Sequence, residues 1–133
     1  MASTIKLELV TPERLLVSEE VDEVIAPGYE GEFGVLPDHT PFLVILSIGV
    51  LRYRKSNQEW KIAVGGGFAE VTSDRVVILA DVAEKADEID VDRARRAHER
   101  AENALKDLAM DDALYRKMSS ALQRSIARMS AAS

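Results

Sequence analysis

Cysteine is absent from this chain of 133 residues, and histidine occurs only twice, at His39 and His98. Without cysteine the chain has no disulfide, thiolate zinc site or thiol nucleophile. Two histidines leave little material for a histidine metal site or a Ser-His-Asp triad. We therefore expect a non-catalytic protein without a metal site. Of the enzyme classes, a small β-sandwich enzyme that uses paired carboxylates, such as Asp87 and Asp90, stays open.

Long hydrophobic runs and an excess of positive charge are also missing. The apolar run 42–46 is far too short to span a bilayer, which takes about 20 residues, and no secretory signal pattern opens the chain. Seventeen basic residues against 23 acidic ones give a net charge of −6, which argues against general nucleic-acid binding. These features predict a soluble protein of a reducing compartment.

Glycine and proline are confined to the first half of the chain. All seven glycines and all four prolines precede Phe68. Turn residues followed by a long stretch without them are typical of a β domain joined to helices. The sequence therefore predicts an α+β fold, in which an antiparallel β-sandwich (residues 1–85) precedes an antiparallel two-helix hairpin (residues 86–133).

The first half alternates apolar and polar residues with the period of a β-strand. Ile5, Leu7 and Leu9 form one such series. The continuous run 42–46 predicts a core strand buried on both faces. A turn at 56–57 predicts a hairpin in which Leu51 and Tyr53 face Trp60 and Ile62.

The second half has helical periodicity. Six apolar residues of a first helix fall on one face, and they are Ala94, Ala97, Ala101, Ala104, Leu105 and Leu108. A second helix is predicted after an aspartate cap at 111–112. The residues that fall on one of its faces are Leu114, Met118, Ala121, Leu122, Ser125 and Met129. Since the first seam is mostly alanine, and alanine buries little apolar area, we expect the first helix to hold only weakly to whatever it packs against. The helical pair is too small for a core of its own, so it should dock on the sandwich or on a partner.

Charge is divided along the helical half. Residues 113–133 contain no acid and four bases, which are Arg116, Lys117, Arg124 and Arg128. Two interpretations stay open. The cations could form a solvated face that favours a helix C-terminus, or the helix could bind an acidic surface or a phosphate.

Three segments taken together resemble a known family. They are PGYEGEFGVLPDHTP at 27–41, GGGFAEV at 65–71 and VVILA at 76–80. In order and spacing, and with the helical hairpin that follows, they resemble the epsilon subunits of rotary F-type ATP synthases, called delta in mitochondria. The glycines at 65–67 match neither GxGxxG nor a phosphate loop, so we expect a bulge or close backbone packing there.

The resemblance implies a non-catalytic subunit of the central stalk. Its sandwich would contact the gamma subunit and the rotor c-ring, at the cytoplasmic face of the bacterial inner membrane and without lipid insertion. Its hairpin would reach the catalytic alpha/beta ring and restrain ATP hydrolysis through Arg116, Lys117, Arg124 and Arg128. Glu32 and His39 match partner-contact positions of the family. Taken alone, without the resemblance, Glu32 is better interpreted as a solvated turn carboxylate and His39 as a residue that braces the loop by a hydrogen bond.

The resemblance also implies ATP as a regulatory ligand, with no cofactor required. The segment IDVDRA at 89–94 resembles a nucleotide motif of some bacterial members. The implied ligand positions are Glu84, Ile89, Asp90, Arg93, Ala94, Arg100, Arg124 and Arg128. Hydrolysis is not expected, because the sequence has no phosphate loop. From the residues alone, Asp90 could merely cap the helix, and a free-standing nucleotide-sensing module is the alternative function.

Overall fold

The computed structural model describes residues 3–133. Over this range the chain forms ten β-strands, one 3-10 turn at Ala86–Glu88 and two helices, α1 (Val91–Leu105) and α2 (Ala113–Ala132). The strands are β1 (Ile5–Val10), β2 (Leu15–Val21), β3 (Glu23–Gly28), β4 (Gly31–Val35), β5 (Phe42–Ile45), β6 (Ile48–Lys55), β7 (Gln58–Gly65), β8 (Gly67–Val71), β9 (Arg75–Ala80) and β10 (Ala83–Lys85).

The strands build two sheets of five. The order is β2-β1-β9-β8-β5 in the first sheet and β10-β7-β6-β3-β4 in the second. The core lies between them, and its fully buried side chains include Ile5, Leu7, Leu9, Leu51 and Ile78. The predicted sandwich with a following helical hairpin is confirmed.

One ladder differs from the antiparallel prediction. Strand β1 pairs in parallel with β9, with Leu7 opposite Val76 and Leu9 opposite Ile78. A parallel pair needs a long crossover, and the seven strands between β1 and β9 supply it. The neighbouring ladders β1–β2 and β8–β9 are antiparallel.

The prediction that residues 42–46 are buried on both faces is wrong. Strand β5 is the edge of the first sheet and pairs only with β8. Leu43 is 69% exposed and Ile45 64% exposed, whereas Leu46 is buried. Both faces of the strand are apolar, but this chain covers only one of them.

The predicted hairpin β6–β7 is confirmed. Tyr53 pairs with Trp60 and Leu51 with Ile62, and the turn residues Ser56 and Asn57 have φ of 53° and 66°, as a tight hairpin requires. At 65–67 the backbone is closely packed, as expected. A Cβ on Gly67 would lie 2.0 Å from the Leu79 carbonyl oxygen.

Both helices begin at aspartate caps. The Asp90 carboxylate accepts a hydrogen bond from the Arg93 backbone N–H at 3.1 Å, and Asp112 accepts one from Leu114 at 2.8 Å. The caps satisfy amides that have no partner within the helix. Among residues 3–133, no helix is long and apolar enough to cross a membrane.

Helix α2 joins the hairpin to the sandwich. It packs on α1 on one side and contacts β6 and β7 of the second sheet on the other. The contact with the sheet is a small cluster of Ala63, Ala127 and Ala131, with Ile48, Val50 and Ile89 around it. Alanine side chains bury little area at about 25 cal/mol per Å², so the apolar part of this contact is weak. The sequence predicted weak packing for the alanine seam of the first helix, but the alanines that meet the sheet belong to α2.

We expect residues 1–88 to fold without the helices, because the continuous core between the sheets lies within them. Trp60 is the only tryptophan of the chain and stacks on Tyr53 with ring centroids 5.4 Å apart. Its fluorescence therefore reports on the sandwich. The truncated protein should show a cooperative thermal transition. A gradual change without a transition would contradict the division into two parts.

Candidate functional site

A pocket of about 380 Å³ lies where the sandwich, the linker and the two helices meet. The β1–β2 loop contributes Arg14, β10 contributes Glu84, α1 contributes Arg93 and α2 contributes Arg128. Small-molecule sites in proteins have volumes of about 300–1,000 Å³. The pocket is therefore large enough for a small ligand, and α2 contributes Arg128 to its lining.

Five of the eight predicted nucleotide residues line this pocket. They are Glu84, Asp90, Arg93, Ala94 and Arg128. Arg124 lies in an adjoining narrow cleft, which Glu84 and Arg128 also line. Ile89 packs on the alanine cluster beside the pocket. Arg100 is exposed on α1, about two turns beyond Arg93, and does not line the pocket.

Two arginines of the pocket are paired with carboxylates. The Arg128 Nε donates to Glu84 Oε1 at 2.7 Å, and both side chains are about one-third exposed. Arg14 donates from both terminal nitrogens to the two oxygens of Glu88, at 2.9 and 2.8 Å. Such forked, charge-assisted contacts are the geometry in which arginine also binds phosphate.

The Arg14–Glu88 pair fixes the linker to the sandwich. Glu88 accepts hydrogen bonds from the Arg14 side chain and a further one from the Lys85 backbone N–H. These bonds hold the pKa of Glu88 below its usual range. The same contact with Glu88 raises the pKa of Arg14. Because the carboxylate pKa is lowered, the pair persists at neutral pH and is lost only as the pH falls through that lowered value. Both side chains are well exposed, so solvent weakens the interaction.

Size alone does not identify the site. A groove of about 530 Å³ near the C-terminal end of α2 is larger, and Tyr53, Trp60 and Lys61 lie along it. It contains none of the predicted nucleotide residues. The three guanidinium groups are a better guide than volume, because a polyphosphate needs forked cationic donors.

Metal binding has no support in the described part of the chain. Residues 3–133 contain no group of three or more acidic or histidine side chains placed to hold an ion. Two carboxylates of the pocket, those of Glu84 and Glu88, instead form salt bridges with arginines.

Glu32 lies in β4, next to the β3–β4 turn, and His39 lies in the loop that follows β4. Glu32 accepts a hydrogen bond from Arg52 at 3.1 Å but is still 57% exposed. The His39 Nδ1 lies 2.8 Å from the Thr40 carbonyl oxygen, and its ring meets Phe42 edge-on at 5.0 Å. Each residue has a local structural contact and also faces solvent.

The outer face of the first sheet carries an apolar stripe. One residue from each of its five strands lies in cross-strand register, and they are Leu15, Val10, Leu79, Phe68 and Ile45. Four of them are 39–64% exposed, and Val10 is partly buried. A contiguous apolar patch of this kind on a sheet marks an interaction surface.

Two family models account for almost the whole chain. The model described as ATP synthase, Delta/Epsilon chain, beta-sandwich domain matches residues 4–86, and the model for the long alpha-helix domain of the same chain matches residues 87–133. This chain belongs to the delta/epsilon family of ATP synthase subunits.

Individual relatives agree with the family models. The chain is 51% identical to the ATP synthase epsilon chain of Geobacter sulfurreducens, over 99% of this chain and 96% of that protein. It is 53% identical to the epsilon chain of Syntrophobacter fumaroxidans, over 99% of this chain and 98% of that protein.

Solved structures show the same fold. A chain in the mitochondrial ATP synthase of Euglena gracilis matches with a TM-score of 0.83 and 27% identity, over 98% of this chain and 81% of that one. A chain in the central stalk and c-ring structure of Tetrahymena thermophila matches with a TM-score of 0.67, over 97% of this chain and 96% of that one. At its 14% identity the second likeness shows the fold alone.

The four cations of α2 differ in solvent exposure in this delta/epsilon chain. Arg116 and Lys117 are exposed, whereas Arg124 and Arg128 are partly buried against the sandwich. The docked hairpin therefore exposes Arg116 and Lys117 more fully than Arg124 and Arg128.

Sequence reasoning missed the apolar stripe and Arg14. A usable signal for the stripe was present, because the continuous apolar runs 42–46 and 76–80 place apolar side chains on both faces of a strand. No comparable signal marked Arg14, since its pairing with Glu88 joins residues 74 positions apart.

Proposed function

We propose that this protein is the epsilon subunit of the central stalk of an F-type ATP synthase, a non-catalytic subunit that couples the rotor to the catalytic head. The observation that carries the proposal is the apolar stripe on the first sheet. A solvent-exposed stripe is unfavourable for a free protein and is accounted for by a permanent partner. Co-purification with a membrane-bound ATPase is the direct test, and its absence would favour a free-standing module.

The stripe is the proposed contact with the gamma subunit. Helix α2 packs on β6 and β7 of the second sheet, whereas the apolar stripe of the first sheet is exposed, so the stripe is the larger apolar surface offered to a partner. Interfaces of obligate complexes are more apolar than ordinary surface, and aromatic residues such as Phe68 are frequent anchors.

The loops of segment 27–41 are the proposed contact with the rotor c-ring. A groove of about 490 Å³ near Tyr29 and Glu32 opens beside the exposed edge strand β5. Tyr29 is 77% exposed, and the Glu32 carboxylate retains free surface beside Arg52. Contact with the ring would hold the protein at the cytoplasmic face of a bacterial inner membrane, peripherally.

The hairpin is the proposed restraint on ATP hydrolysis. Docking partly covers Arg124 and Arg128, and release would fully expose all four cations of α2 to an acidic surface of the catalytic alpha/beta ring. The weak alanine contact with the sandwich supports this exchange, because two arrangements that differ by a few kcal/mol can be shifted by a partner or a ligand.

Nucleotide sensing is the second candidate function. It is favoured by the convergence of five predicted ligand positions from β10, the linker, α1 and α2 in one pocket. ATP bound there would contact the sandwich and both sides of the linker, and would therefore stabilise the docked hairpin. It would act as a regulatory ligand and not as a substrate.

Phe68→Glu should weaken binding to the gamma subunit by about thirtyfold or more, since loss of a central aromatic anchor typically costs about 2 kcal/mol or more. Phe68 is already partly exposed, so the fold should survive. Met110→Glu is the matched control, because Met110 is exposed in the link between the helices. Equal binding by the two variants in a pull-down with purified gamma would exclude the stripe as the interface.

Removal of the basic cluster should raise ATP hydrolysis by the assembled enzyme. Deleting residues 113–133, or changing Arg116, Lys117, Arg124 and Arg128 to Ala together, removes all cations of α2. Each exposed pair contributes at most about 1 kcal/mol, so single substitutions should have small effects. Inhibition by the wild type should also weaken with salt, because exposed charges are screened over about 8 Å at physiological ionic strength. Unchanged hydrolysis with normal subunit content would make the cluster a solvated surface.

Arg93→Ala should weaken ATP binding tenfold or more, because a hydrogen bond to a charged group contributes about 1.5–3 kcal/mol. Calorimetry on the full-length protein measures this directly. Arg95→Ala is the control, since Arg95 lies on the same helix, pairs with Asp92 and does not line the pocket. No heat from the wild type with millimolar ATP would end the nucleotide proposal and leave the stalk proposal intact.

A further inference from the structure

Arg14 lies outside every segment on which the family resemblance rests, yet its side chain forms one wall of the pocket. We propose that Arg14 is a phosphate-binding residue of this pocket and that nucleotide competes with Glu88 for its guanidinium group. The inference rests on the nucleotide-sensing function proposed above and adds to it a residue and a mode of regulation.

The geometry of the Arg14–Glu88 contact supports this role. Two parallel N–H···O bonds of 2.9 and 2.8 Å join the guanidinium to the carboxylate. A phosphate offers the same pair of oxygens to the same fork. The Arg14 side chain is 48% exposed and belongs to a surface loop, so it can turn from the carboxylate to a ligand at small cost.

The charge of the pocket shows why an exchange of partners is needed. Arg14, Arg93 and Arg128 face four carboxylates, which are those of Glu13, Glu84, Glu88 and Asp90. With Arg14 and Arg128 each bound to a carboxylate, the pocket presents an excess of negative charge to a polyphosphate. A polyphosphate becomes favourable only when it takes over the guanidinium groups from their acidic partners.

A conservative substitution of Glu88 can weaken its competition with nucleotide for the Arg14 guanidinium group. Its Oε1 also accepts a hydrogen bond from the Lys85 backbone N–H at 3.1 Å. In Glu88→Gln the side-chain amide oxygen can still accept that bond, while the ion pair with Arg14 is lost. Glu13→Gln is the matched control, because Glu13 lines the same pocket and the carboxylate that holds Arg14 is that of Glu88.

The experiment is calorimetry of ATP binding to the full-length protein at fixed ionic strength. Arg14→Ala should weaken ATP binding about fivefold to tenfold, since the lost charge-assisted contact is partly offset by the broken pair with Glu88. The ATP affinity of Arg14→Lys should lie between those of the wild type and of Arg14→Ala, because lysine keeps the charge but lacks the forked pair of donors. Glu88→Gln should tighten binding about threefold, on the scale of an exposed ion pair, and by more than Glu13→Gln does.

The gain from Glu88→Gln should disappear when Arg14 is already Ala, because the carboxylate acts through that guanidinium. Thermal melting of each variant establishes that the fold is intact. If Arg14→Ala binds ATP as the wild type does, or if Glu88→Gln and Glu13→Gln are equivalent, the role of Arg14 is overturned while the nucleotide site stands. If the wild type binds no ATP, the site and this inference fail together.

Discussion

The contact between α2 and the second sheet is the interaction on which the arrangement of the C-terminal part depends. Its apolar part is made by Ala63, Ala127 and Ala131, which bury little area in comparison with the leucines, isoleucines and valines between the sheets. The hydrogen bond from Arg128 to Glu84 adds a polar part. Since apolar stabilisation scales with buried area, the sandwich is far more stable than the docking of the hairpin. The candidate pocket is lined by residues of the sandwich and of both helices, so loss of this contact would remove Arg128 from it. A ligand in the pocket and the docked position of α2 must therefore stabilise each other.

The two outer faces of the sandwich differ. Helix α2 packs on β6 and β7 of the second sheet with a small apolar contact, whereas the first sheet bears the exposed apolar stripe across all five strands. A broad apolar surface suits a permanent partner, and a light alanine contact suits a reversible one. Under the proposed function, the first sheet would be the fixed attachment and the hairpin the movable element. A subunit that is both a stalk component and a regulator would require this separation.

The sequence predicted those features that follow from local patterns. Alternation identified the strands around Leu7 and Leu51, the absence of glycine and proline identified the helical half, and the two aspartates capped the helices as expected. Features that depend on pairing between distant segments were not predictable. The parallel β1–β9 ladder and the Arg14–Glu88 pair are of this kind. The error at residues 42–46 has another cause, because an apolar outer face looks in sequence like a buried one, and only the strand order shows that the chain leaves it uncovered.

If the hairpin is released as proposed, the position of its hinge follows from the bonds that hold the linker. Arg14 and the Lys85 backbone N–H fix Glu88 to the sandwich, so the 3-10 turn would stay with the sheets when the helices leave. The next residue, Ile89, has extended backbone with φ of −81° and ψ of 126°, and α1 begins at the cap Asp90. The pivot would therefore fall at 89–90. Ile89 also packs on the alanine cluster under α2, so rotation at the hinge and loss of docking would expose the same apolar side chain. Hinge and contact would then open together, and we expect release of the hairpin to be a two-state event and not a gradual loosening.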